Sequence, residues 1–264
     1  MIKLIATDMD GTLLDESGKL PKDFFQVFNK LKEIGVKFVI ASGRPYYTLY
    51  ENFKPISDEL YYICDNGSCI AEENEKPKVE VMDKKDIEEI VKLCENIPNT
   101  TLILCGVKGA YHVPCEEKFL SEIDKYYIKK YVVDDLLNIE DDIFKITVCD
   151  LSVSANNSYP IINEKYGDKL KVVVSGQLWV DINNKDVNKG SALEQIQKDE
   201  NISPEETMVF GDFYNDIEML QKAHYSFVME NANDDMKQYG NFIAESNRKN
   251  GVIKAIEKYV LNAN

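Results

Sequence analysis

Residues 4–15 read LIATDMDGTLLD, and the break inside this stretch is where the fold begins to be legible. The residues before it, IKLIAT at 2–7, form a short apolar run of the kind that makes a strand covered on both faces of a parallel sheet. The run stops on Asp8 and Asp10, one residue apart, and turns at once through Gly11 and Thr12. Two like charges so close repel, so the pair needs solvent or a cation. Asp and Gly are also common wherever a strand breaks into a loop. The stretch alone leaves both readings open.

Working outward, the next 60 residues repeat the pattern. Pro21 opens a helix whose Phe24, Val27, Phe28 and Leu31 recur at i, i+3, i+4 and i+7, and Gly35 follows as a helix terminator. VKFVIASGRP (36–45) is a second buried strand running into a Ser-Gly-Arg-Pro loop, followed by a helix from about Tyr46 and the strand YYIC (61–64). A β-α-β-α-β rhythm implies right-handed crossovers and a doubly wound, Rossmann-like parallel sheet. The rhythm then changes. DNGSCIAEENEKPKVEVMD (65–83) is hairpin material around Asn66-Gly67. Residues 83–186 mix strand-like pieces (TLILCG, GAYHVP, IFKITVC, LKVVVSG, LWVDI) with helical ones (DIEEIVKLCENI, SYPIINEKYG). The parallel pattern resumes at ETMVFGD (206–212) and closes with the helix GVIKAIEKYV (251–260). The expected fold class is α/β: a core of residues 1–82 and 187–264, interrupted by an inserted α+β module at 83–186.

Composition narrows the function. The chain has 264 residues and a formal charge of −15, which argues against nucleic acid or an anionic membrane as partner, since both need a basic footprint. An anionic small molecule remains possible if a metal ion reverses the field locally. Six cysteines without a C-x-x-C pair and only two histidines make a zinc site or a disulfide framework a poor expectation. Neither a signal peptide nor a transmembrane stretch is recognisable, so the expectation is a cytoplasmic protein, monomeric or weakly self-associating.

Three polar clusters fall at predicted strand ends: Asp8 and Asp10, Ser42 and Gly43, then Gly211 and Asp212 with Asn215 and Asp216. Open α/β sheets bind ligands beyond the carboxyl ends of their strands, so these clusters should meet there. Asp8, Asp10, Asp212 and Asp216 would form an all-oxygen site suited to Mg²⁺.

DMDGTLLD (8–15), ASGRP (41–45), Lys189 in VNKGSAL (187–193) and GDFYNDIEML (211–220) resemble, in order, the four signatures of haloacid dehalogenase-like phosphatases. DNG at 65–67, the long insert, VMENANDDMK (228–237) and NRKNGVIKAIEKY (247–259) resemble the Cof-type branch with its α+β cap. The resemblance covers the core and is weak inside the insert. It implies an Mg²⁺-dependent phosphatase of small phosphorylated metabolites, with Asp8 as nucleophile and Asp10 as the acid and then the base. An i, i+2 pair on extended chain can point both carboxyls to one side. The backbone carbonyl of Asp10 would also ligate the metal. Gly11, Ser42, Gly43 and Asn215 would meet phosphate, and Arg44 would contact substrate or tie its loop to the cap. Lys189 sits at a predicted helix start, where the macrodipole disfavours a cation, and a phosphate held there would explain it. Asp212 would ligate the metal and Asp216 would ligate it or orient Lys189. The cap would set specificity, with His112, Trp179 and Tyr111 packing inside it. Glu230 departs from the pattern, which has a small residue there. A phosphomutase using the same aspartyl-phosphate, and a non-catalytic phosphate sensor, are the alternatives; loss of Asp8 or Asp10 would have marked the sensor, and both are present.

Overall fold

In a computed structural model that describes residues 1–54, 56–72 and 75–262, the elements run in chain order as follows. They are β1 (Leu4–Asp8), α1 (Phe24–Glu33), β2 (Lys37–Ala41), α2 (Tyr46–Asn52), β3 (Tyr61–Cys64), β4 (Cys69–Ala71), β5 (Lys78–Val79) and α3 (Lys84–Cys94). Then come β6 (Thr100–Gly106), β7 (Ala110–His112), α4 (Glu117–Ile123), β8 (Lys130–Val132), β9 (Ile143–Asp150), α5 (Ser158–Tyr166), β10 (Leu170–Gly176) and β11 (Trp179–Asn184). The chain ends with α6 (Lys189–Asp199), β12 (Thr207–Gly211), α7 (Ile217–Leu220), β13 (Tyr225–Met229), β14 (Phe242–Ala244) and α8 (Gly251–Ile256). No helix among the described residues is long and apolar enough to cross a membrane.

Two compact units divide the chain: residues 1–43, 55–76 and 188–264, and residues 44–54 with 77–187. In the first, the strands lie in the order β14-β13-β12-β1-β2-β3-β4. All neighbours are parallel except the β3–β4 hairpin. β1 is buried throughout, as its unbroken apolar run requires. α1 begins at Phe24 rather than Pro21, and the predicted stripe of Phe24, Val27, Phe28 and Leu31 is its buried face. Phe24 and Phe28 meet Phe38 of β2 edge-on, with ring centroids 5.7 and 6.1 Å apart. β14, three residues at the sheet edge, went unread in the sequence because its alternation is too short to register.

In the second unit a sheet runs β10-β11-β9-β6-β7-β8, antiparallel except for the β7–β8 pair. Ile146 and Val148 of β9 and Val180 and Ile182 of β11 pack with Ile90 of α3 and Ile162 of α5. Residues 44–54, which carry α2, group with this unit rather than with the expected core, and the unit's main segment runs 77–187 where 83–186 was expected. The Tyr47 hydroxyl donates to the Val107 carbonyl at 3.1 Å, and Thr48 donates to the Tyr126 carbonyl at 2.8 Å. Two elements of this unit were also unread. α4 buries only Phe119 and Ile123, and β8 is largely exposed, so neither leaves a periodic signal. All six cysteines are free, five of them buried.

Candidate active site

β1 sits where the strand order reverses, between β2 and β12, and the crevice beyond such a point is where open α/β sheets bind ligands. Register does the assembling. Thr7 pairs with Phe210 and Asp8 with Ala41, so Asp8, Ser42 and the Gly211–Asp212 pair all leave their strands at the same end. α6 brings in Lys189 as its first residue. The Asn188 side chain accepts the Ser191 N–H at 2.8 Å and the Ser191 hydroxyl accepts the Asn188 N–H at 3.1 Å, a reciprocal cap that fixes the helix start.

Lys189 is fully buried, and its Nζ donates to Asp8 Oδ1 at 2.6 Å and to Asp216 Oδ1 at 2.7 Å. Its place at a helix start is thus answered by two carboxylates. Asp216 Oδ2 accepts the backbone N–H groups of Asp212 and Phe213 at 3.0 and 3.1 Å, so both of its oxygens are engaged. Thr12 donates to Asp212 Oδ1 at 3.0 Å. Gly11, with φ of +85°, lies so close to Asp212 that a Cβ there would stand 2.2 Å from Oδ2.

Asp8, Asp212 and Asp216 each place one carboxylate oxygen within 4.8 Å of the others. Burial pushes the Asp8 carboxyl up to about 7 and the Asp212 carboxyl up to about 6, with Asp216 adding to both rises. Burial also works to lower Lys189, but the attraction of Asp216 and Asp8 prevails and its pKa is raised. One ammonium therefore faces three carboxylates. The uncompensated negative charge and the purely oxygen donors, with no histidine or cysteine in the group, fit a hard divalent cation such as Mg²⁺.

Of the residues singled out in the sequence, the crevice collects Asp8, Gly11, Lys189, Asp212 and Asp216. Asp10 lies outside the carboxylate trio, exposed on a turn whose Met9, Thr12 and Leu13 are buried, yet close enough for its charge to act on Asp212. Ser42 is buried at the end of β2, and Gly43 follows it. Asn215 donates to Asn66 Oδ1 at 2.9 Å. Arg44 opens the segment that packs with the second unit. Asn66 was read mainly as a turn former, and the turn does join β3 to β4. Its side chain also lies against Gly43, and its N–H donates to the Ser42 carbonyl at 3.0 Å. Asp65 and Asn66 have positive φ (+50° and +55°), a left-handed conformation uncommon for residues other than glycine, and Gly67 follows at +105°. A Cβ on Gly67 would stand 2.2 Å from the Asn188 carbonyl oxygen, so this turn rests on the start of α6. Thr12, named in the sequence only as part of the turn, and Asn231, whose Nδ2 donates to the Gly11 carbonyl at 2.8 Å, carry no site role in the sequence reading. Their signal lay inside the quoted motifs, DMDGT and ENA.

Comparison with known proteins gives a consistent picture. The family model for haloacid dehalogenase-like hydrolases matches residues 5–256. The chain is 32% identical over 259 residues to the 5-amino-6-(5-phospho-D-ribitylamino)uracil phosphatase YbjI of Escherichia coli, covering 97% of this chain and 96% of that protein. It is 27% identical over 260 residues to the similarly named phosphatase YcsE of Bacillus subtilis, covering 98% and 96%. Among solved structures, one from Streptococcus mutans aligns with a TM-score of 0.81 at 32% identity, covering 99% of this chain and 100% of that one. Another, from Eubacterium rectale, aligns with a TM-score of 0.89 at 28% identity, covering 98% and 99%.

Proposed function

The chain belongs to the haloacid dehalogenase-like hydrolases and is a phosphatase of that family; from this premise we propose that it uses Mg²⁺ to hydrolyse small phosphomonoesters through a phosphorylated Asp8. The observation that carries the proposal is the buried Lys189 ammonium bridging Asp8 and Asp216, with Asp212 beside them. Asp8 and Asp212 would hold the ion by their side chains, and Asp10 by its backbone carbonyl. Bound there, Mg²⁺ supplies the positive charge that lets an anionic ester approach a carboxylate. Asp216, with both oxygens engaged, orients Lys189 and the 212–213 backbone.

Lys189 holds Asp8 Oδ1 and leaves Oδ2 to attack phosphorus. As the new O–P bond forms, the bond to the leaving oxygen breaks and Asp10 gives that oxygen its proton. The carboxylate of Asp10 then takes a proton from water, whose oxygen attacks phosphorus and releases inorganic phosphate and free Asp8. Ser42, the Gly43 amide and Asn215 donate to phosphate oxygens. The two relatives named for a phosphoribityl ester make that compound the first substrate to try, alongside sugar phosphates, nucleotides, flavin mononucleotide and pyridoxal phosphate.

Phosphate release over this panel tests the proposal. At least one ester should be hydrolysed with Mg²⁺ and none in excess chelator. No release from any ester with Mg²⁺ would overturn the function, and full release in chelator would overturn the metal.

A further inference from the structure

The turn that carries Asp10 is held from behind by two asparagines more than 200 residues away. Met9–Leu13 form a single wide turn broken at Asp10 (φ −79°, ψ 116°) and Gly11 (φ 85°, ψ −8°). Asp10 is exposed, so burial does not fix its side chain. The shape of the turn sets where that side chain starts. Asn231, just past β13, donates its Nδ2 to the Gly11 carbonyl at 2.8 Å and accepts the Asn247 N–H at Oδ1 at 3.0 Å. Asn247, buried in the turn before α8, donates its Nδ2 to the Leu14 carbonyl at 2.9 Å.

Glu230, where the family pattern has a small residue, braces the same seam. Its Oε2 accepts the Ser246 N–H at 3.2 Å and lies 3.1 Å from Lys249 Nζ. Residues 230 and 231 thus accept the amides of 246 and 247 in succession. The Asn231 amide engages one partner on each side, so it cannot rotate without losing one of them.

We propose that Asn231, backed by Asn247, is a positioning residue: by fixing the Gly11 carbonyl it pins the Gly11–Thr12 peptide, so that the turn holds its shape around Gly11 and aims the Asp10 carboxyl for proton transfer. This rests on the reading of Asp10 as the acid. Proton donation matters for an alkyl leaving group and little for p-nitrophenolate. A residue that aims the acid should therefore show itself in the contrast between two esters, which a merely structural tie would not alter.

The experiment compares kcat/KM for an alkyl phosphate and for p-nitrophenyl phosphate, since this constant covers the chemistry through departure of the leaving group. General acids contribute about 10²- to 10⁴-fold, so misaiming one should cost a substantial part of that. Asn231→Ala should lose at least ~10-fold more on the alkyl ester than on the nitrophenyl ester. Asn247→Ala keeps the Asn247 N–H and should shift the same ratio by less; it decides the matter if Asn231→Ala does not fold. Equal losses on both esters, or none, would overturn the inference while leaving the function standing. The alkyl phosphate is one that the wild type hydrolyses in the panel above, and no release across that whole panel would overturn the function instead.

Discussion

Lys189 in the first unit and Lys145 in the second are both buried, at 0% and 4% exposure, and their surroundings differ sharply. Lys189 is gripped by two carboxylates at 2.6 and 2.7 Å. Lys145 lies 3.8 Å from one carboxylate oxygen, Asp181 Oδ1, and 6.0 Å from the centre of the Tyr127 ring. That Asp181 oxygen also accepts from the Thr147 hydroxyl at 2.8 Å, and Tyr127 donates to Thr147 at 3.2 Å. The first unit concentrates charge at one point and locks it with short ionic bonds, as a site must if it is to meet a developing charge without rearranging. In the second, the carboxylate oxygen beside the buried lysine is shared with a neutral hydroxyl. Chemistry belongs where the geometry is fixed.

The largest effect expected lies inside the locked region and divides the two aspartates. Asp8→Asn should abolish turnover, by at least ~10⁴-fold, because no nucleophile remains. Asp10→Asn removes proton transfer from both half-reactions and leaves the backbone contact to the metal. An alkyl ester should then fail at the first step. A p-nitrophenyl ester should still give a burst of nitrophenol near one per active enzyme, followed by slow turnover. Rapid mixing under excess ester reads this directly. Equal slowing of both esters, with no burst, would show that the aspartates do not share the work this way.

The second effect tests the contrast between the lysines. Lys189→Met strands Asp8 and Asp216 in a buried site, and breaking one side of such a pair costs about 3–5 kcal/mol. Lys145→Met leaves one carboxylate, Asp181, which keeps its bond from the Thr147 hydroxyl, and should cost less than Lys189→Met. Urea unfolding at pH 8 in excess chelator measures both. If the two substitutions cost the same, the second unit holds its charge as tightly as the first and the comparison fails.

The same contrast explains what the sequence could disclose. In the core, the proposed site residues Asp8, Lys189 and Asp212 sit at a strand end or a helix start, and both leave marks: an apolar run that stops, a Gly, a cap. Those marks, together with the resemblance of the quoted signatures, single these residues out before any coordinates. They do not show what the residues touch. The helix start at Lys189 pointed to an anion, and the anions supplied by the chain are Asp8 and Asp216, residues 181 positions before it and 27 after it. Asn66 was masked by its own turn chemistry, since Asn-Gly already explains a hairpin without a role for the side chain. Asn231 has no mark of its own beyond its place in the quoted run VMENANDDMK, because the group it holds is a carbonyl 220 residues away. In the second unit the strands were readable from alternation. Lys145, Thr147 and Asp181 carry no spacing that separates a polar sheet face from an ordinary exposed one. The placement of α2 was hidden for a related reason, since Tyr47 and Thr48 reach partners 60 and 78 residues further on.

The smallest effect expected is a pH dependence confined to the acidic crevice. Without metal, Asp8 and Asp212 are raised from 3.8 to about 7 and about 6, chiefly by burial. Between those values the folded protein holds protons that the unfolded chain has released. Stability from these two groups is therefore full below pH 3.8 and is lost as pH climbs through 6 and 7. Mg²⁺ competes with the same protons, so its affinity should rise over that window and restore what ionisation removes. Each tenfold gain in affinity adds about 1.4 kcal/mol once the ion is in large excess. Because other groups also titrate, the quantity to measure is the gap in Tm between Mg²⁺ and chelator at a series of pH values from 5.5 to 7.5. The gap should widen with pH in the wild type and in Lys145→Met, whose change lies in the other unit. It should flatten in Asp212→Asn, which removes a ligand and one of the two raised carboxyls together. A gap that stays constant or narrows in the wild type would mean that the cation does not displace protons from Asp8 and Asp212, and so does not bind between them.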